Sequence, residues 1–132
     1  MLRVVPRAKV NTSGPTYVTV TIRPLGKRRK EYSASFLVDR AAMDCIVRAA
    51  ELQRIGILPR GKTRRELADM GVVESDFGVA EIELMGEVTA GRVIFGPDDC
   101  EPLLGVTVLE SLGIVIDPKS ERLKKLPALP LK

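Results

Sequence analysis

A chain of 132 residues with no histidine cannot build a Ser-His-Asp or Cys-His triad, or any metal site that depends on imidazole. Its two cysteines, Cys45 and Cys100, form no CxxC pair, which removes a thiol redox motif. The net charge of +4 comes with only 4% aromatic residues and no tryptophan, so stacking platforms for nucleic acid are scarce, and carboxylates, lysines and hydroxyls are left to carry any chemistry.

The opening MLRVVPRAKV has charge but no apolar centre, and no apolar run reaches the ~20 residues of a membrane span. A cytoplasmic protein without a membrane partner is expected. The length fits one domain over 1–132, with a core from about 16 to 126 and an extended tail at 127–132.

Thr16 to Arg23 alternates, with Val18, Val20 and Ile22 on one face, which predicts a strand ended by Pro24 and Gly26. Lys27-Arg28-Arg29-Lys30 reads as a charged hairpin tip. Glu31 to Asp39 predicts the return strand, and its consecutive Phe36, Leu37 and Val38 suggest burial on both faces. From Asp44 to Ile55 the apolar residues fall near helical spacing, predicting a helix capped by Asp44 and ended by Gly56.

Pro59 and Gly61 mark a loop, and Asp69-Met70-Gly71 a turn. Val79 to Leu84 and Val88 to Phe95 predict two strands around a tight turn at Met85-Gly86-Glu87. Glu81 and Glu83 read as the wet face of the first. Leu103-Leu104 is a short buried segment, Val106 to Leu112 a short helix with Gly113 behind it, and Ile114 to Ile116 a strand answered by Ser120 to Leu126. Cys45 reads as a small buried hydrophobe, and Met43, Met70 and Met85 as packing residues. Short strands, frequent turns and one or two short helices describe an all-β protein, a small closed barrel.

Two of these segments together carry a resemblance. Phe36-Leu37-Val38-Asp39-Arg40-Ala41-Ala42 is an apolar strand that ends in a carboxylate. Glu101 to Gly113 contains Leu103-Leu104-Gly105 followed by a helix, and Ile114 to Pro118 follows as a strand. The pair resembles the two halves of a retropepsin-like (clan AA) aspartic protease protomer of the bacterial and archaeal single-domain branch. Between them, Arg65 to Val73 resembles the family's flap hairpin, its tip near Asp69 to Gly71.

The resemblance implies an acid-protease-type barrel with a flap hairpin, no cofactor and no metal. It implies Asp39 as the catalytic residue and Ala68, Asp69, Met70, Gly71 and Val72 as the flap that holds an extended peptide. Leu103, Leu104 and Gly105 are then the second structural motif. One motif supplies one carboxylate, while the chemistry needs two that share a proton, so two identical chains must meet on a twofold axis. The motif also departs from the family, which writes Asp-Thr/Ser-Gly where this chain has Asp39-Arg40-Ala41. Arg40 cannot replace a hydroxyl that both donates and accepts, and its charge beside Asp39 opposes proton sharing. Ala41 is expected to strain the loop if its φ is positive.

Two functions stay open on these residues: a homodimeric aspartic peptidase impaired by Arg40 and Ala41, and a catalytically silent dimer that binds peptides. Nucleic-acid binding through the basic clusters is a distant third. Gly56 to Thr63 matches GxxxxGKT letter for letter, but its first glycine ends a predicted helix instead of following a strand, so a phosphate loop is rejected. Asp98, Asp99 and Glu101 read as a charged loop.

Overall fold

The computed structural model describes residues 15–26 and 30–127. Most of the basic run expected at a hairpin tip, and nearly all of the expected extended tail, lie outside the described residues.

The chain begins with a β-hairpin. β1 (Tyr17–Pro24) and β2 (Tyr32–Val38) are antiparallel, with Val18 opposite Phe36 and Ile22 opposite Tyr32. Alternation works as expected: Val20, Ile22 and Phe36 are fully buried. β3 (Cys45–Arg48) and the six-residue α1 (Ala49–Arg54) follow. Then come β4 (Gly61–Glu66), β5 (Val72–Leu84), β6 (Glu87–Gly96), β7 (Leu103–Leu104), α2 (Val106–Leu112), β8 (Ile114–Ile116) and β9 (Leu123–Lys125).

Six strands close on themselves in the order β1-β2-β7-β3-β6-β5, with β5 returning to β1 and β4 flanking β5. The ring encloses Val20, Ile22, Phe36, Val47, Leu52, Ile82, Leu84, Val93 and Leu104, each at most 2% exposed. Burial of such side chains contributes about 1.5–3 kcal/mol apiece, and this drives closure. The all-β barrel and its short helices are thus as the sequence indicated. α2 occupies the predicted residues, and Gly113 ends it at φ 68 in the left-handed region.

The expected helix over Asp44–Ile55 is corrected at its first half. Cys45, Ile46 and Val47 are all buried, and they form a strand parallel to β6 and antiparallel to β7. A four-residue strand and one helical turn place the same side chains inward, so periodicity cannot separate them; pairing on both edges decides for the strand. Arg48 therefore precedes the helix, and Asp44 does not cap it. The 56–63 segment leads into strand β4 and opens no helix, in agreement with rejecting a phosphate loop.

The methionines are a second correction. Met43 is 69% exposed and Met70 86%, and Met85 is also exposed, at a two-residue turn where it adopts φ 53. None fills the core. Third, Glu81 and Glu83 are not a simply solvated face. The Arg23 guanidinium lies 3.0 Å from Glu81 and 2.7 Å from Glu83, and its Nε also meets Glu31 at 2.9 Å. The hydrogen bond to Glu83 raises the Arg23 pKa above its ordinary value, with burial opposing.

Both cysteines are free. Burial pushes the Cys45 thiol up to about 11, against a backbone hydrogen bond from Gly105, so it is the inert buried hydrophobe expected.

Candidate active site

β7 is inserted between β2 and β3. It runs parallel to β2, with Leu37 beside Leu103 and Val38 beside Leu104, and antiparallel to β3 at Ile46. The connection from β2 to β3 must therefore cross the end of β7. Asp39 opens that connection, and Gly105 lies at the crossing. The two segments that carry the resemblance, 66 positions apart from Asp39 to Gly105, are brought together here.

Backbone bonds fix the crossing. The Asp39 N–H donates to the Leu104 carbonyl at 3.1 Å and the Leu37 N–H to Pro102 at 3.0 Å. At the other side, the Val106 N–H donates to the Ala42 carbonyl at 2.9 Å and the Thr107 N–H to Met43 at 3.1 Å. These two donors belong to the first turn of α2, where no intrahelical acceptor exists, so the loop satisfies them. Gly105 is required sterically. A Cβ there would overlap the Met43 carbonyl oxygen and come within 2.6 Å of the Asp44 carbonyl carbon.

Asp39 is half-buried, and its Oδ1 accepts the Ala41 N–H at 2.9 Å, while the Ala42 N–H donates to its carbonyl at 3.1 Å. The side chain thus caps its own turn. Ala41 is exposed and is not among the residues with positive φ, so the strain anticipated there does not arise. Arg40 is also placed differently from expectation. Its Nη2 lies 3.0 Å from Oε1 of Glu121, and no ion pair joins it to Asp39 among the described residues.

Glu121 was not singled out from the sequence. It stands in the turn between β8 and β9 with φ 61; its N–H donates to the Asp117 carbonyl at 2.8 Å, and its carbonyl accepts the Thr16 hydroxyl at 2.8 Å. The same turn holds Asp117, whose carboxyl is pulled below its ordinary value chiefly by the Lys119 N–H, at 2.9 Å. A carboxyl depressed in the folded state stabilises above its unfolded value and loses that contribution as pH falls through the folded one. We therefore expect the Lys119 amide resonance to titrate on acidification with a midpoint below the ~3.9 of a free Asp. An amide that stays unmoved through that range contradicts the bond.

β4 and β5 form the predicted hairpin, with Glu66 opposite Val72. Leu67 and Gly71 close it through an N–H to carbonyl bond of 2.8 Å, leaving Ala68, Asp69 and Met70 as the loop. Asp69 Oδ1 accepts the Gly71 N–H at 2.9 Å. Met70, not the glycine, takes the left-handed conformation, at φ 73. The tip exposes apolar surface: Leu67 at 43%, Met70 and Val72. A shallow concavity on this hairpin is lined by Arg64, Arg65, Glu66 and Val72.

On the same hairpin, Lys62 pairs with Asp76 at 2.8 Å. Among the described residues no cluster of histidine, cysteine or carboxylate side chains could hold a metal, and no helix is long and apolar enough to cross a membrane.

The barrel with an inserted β7 and a carboxylate at the crossing has a fold similar to that of a retroviral protease. The protein is similar to the EIAV protease, solved as a complex with the inhibitor HBY-793, at TM-score 0.59 and 21% identity, over 80% of this chain and 95% of that one. No protein-family profile and no curated protein matches the chain.

Proposed function

We propose that this chain is one half of a homodimeric aspartic peptidase that acts on extended peptides, with turnover reduced by the residue at position 40. The observation that carries this reading is the setting of Asp39, a carboxylate fixed by its own turn where β2, β7 and α2 meet. A single carboxylate cannot serve both as the base that activates water and as the acid that donates to the carbonyl oxygen. Two copies around a twofold axis can, because close like charges share one proton.

The exposed apolar side chains support a partner or substrate. Met43 follows the Asp39 loop, and Leu67, Met70 and Val72 ring the hairpin tip, as a flap over a peptide would need. Ala68 to Val72 would hold that peptide by strand-like hydrogen bonds.

A second reading is favoured by one observation. Arg40 is turned to Glu121, so no hydroxyl stands beside Asp39 to complete a hydrogen-bonded lattice across the axis. On that reading the dimer holds peptides without cutting them.

Cleavage of an unfolded protein mixture, followed from acid to neutral pH because a carboxylate pair shares one proton only between its two apparent pKa values, tests the first reading. The native chain is expected to cut slowly and Asp39→Asn not at all, with both sedimenting as dimers. Equal rates for the two chains would remove Asp39 from catalysis, and a monomer at working concentrations would remove the shared site.

A further inference from the structure

We propose that Glu121 is a positioning residue that acts through Arg40: it clamps the guanidinium and so keeps a cation off the Asp39 carboxylate. This rests on Asp39 being the reactive carboxylate, and it names what regulates the charge there.

An arginine next in sequence to a carboxylate is long enough to fold back on it, and a cation within about 4–6 Å holds a carboxylate in its ionised form. That would prevent the sharing of one proton between two subunits. Here the Arg40 guanidinium is instead taken by Glu121, 81 positions away, at 3.0 Å. Arg40 is 59% exposed, and a bridge between two freely moving surface side chains would be transient. Glu121 does not move freely.

Its backbone is tied on both sides: its N–H to the Asp117 carbonyl and its carbonyl to the Thr16 hydroxyl, both at 2.8 Å. The Thr16 carbonyl in turn accepts the Val38 N–H at 2.8 Å, one residue before Asp39. A closed circuit therefore runs from Asp39 to Arg40, across the ion pair to Glu121, through Thr16 to Val38 and back to Asp39. The clamp is built onto the strand that delivers the carboxylate. It compensates locally for the charge at position 40, and it also neutralises each guanidinium within its own subunit before two loops approach each other.

The test is a carboxyl-carbon NMR titration of Asp39 in the full chain, compared with Glu121→Gln, Arg40→Thr and the double variant. Gln is isosteric, keeps the backbone ties and cannot hold the guanidinium as an ion pair. In Glu121→Gln we expect the Asp39 carboxyl signal to titrate at lower pH than in the native chain, as a released cation reaches it. In the Arg40→Thr background the same Glu121 change should move Asp39 clearly less, because only the direct field of the lost carboxylate remains.

An Asp39 titration unchanged by Glu121→Gln overturns the clamp. So does a shift of equal size in both backgrounds, which would make Glu121 act directly. The readout needs no cleavage, so a chain that cuts nothing can still confirm the clamp, and an unmoved titration removes it whatever the cleavage assay gives.

Discussion

Gly105→Ala is expected to destabilise the fold by about 3 kcal/mol, the upper end of the range for overpacking, and to lower the melting temperature by about 10 °C. The new methyl would overlap the Met43 carbonyl oxygen and press on the Asp44 carbonyl carbon. Both are backbone atoms, so no side chain can rotate away to make room. The loop cannot simply lift either, because the Ala42 and Met43 carbonyls are held by the first N–H groups of α2. Something must give: the two loop bonds to α2, the Asp39 bond to Leu104, or the β7 pairing. Each of these positions the carboxylate. Stability and any activity should therefore fall together.

Gly91→Ala is the control. Its added methyl would lie 3.5 Å from the Ile82 side chain, in ordinary contact, and its φ is not positive. A glycine inside a strand is replaced there at little cost. Thermal and urea melts of the two variants decide the matter. If Gly105→Ala melts with Gly91→Ala, the crossing is not the constraint that the geometry makes it.

The parts of the fold set by local rules were legible in the sequence. Val18, Val20 and Ile22 alternate because one face of β1 is core, and Val106 to Leu112 stop at a glycine that the left-handed cap requires. What escaped depends on partners far along the chain. Cys45 to Arg48 form a strand only because β6 and β7 lie on either side of them, and neither edge is visible from positions 45–48.

The same holds at the candidate site. Asp39 and Gly105 could be paired through the resemblance alone, and the structure supplies the physical reason, a backbone crossing with no room for a Cβ. Charge beside Asp39 could be foreseen from Arg40. Its neutralisation could not, because Glu121 is an ordinary turn residue until the β8–β9 turn comes against Thr16. The methionines failed for a different reason: hydrophobicity marks a residue for burial but does not say whether its own chain or a partner covers it.

Arg40→Thr is the second large effect. On the peptidase reading, this single change is expected to raise kcat/KM by at least about 10²-fold, the lower range for a correctly supported general acid–base pair. A hydroxyl both donates and accepts, so two copies can join the carboxylates in one lattice, whereas a guanidinium only donates. The geometry also says which half of the altered motif matters. Ala41 is exposed and has no positive φ, so a glycine there relieves no strain. Adding Ala41→Gly to Arg40→Thr should change the rate by no more than the roughly fivefold that about 1 kcal/mol of backbone freedom represents. If the gain appears only when both residues are changed, the loop needs a conformation other than the one described. If Arg40→Thr folds, dimerises and still cuts nothing, the missing hydroxyl is not what limits turnover, and the groove between two copies is better read as a holder of peptides.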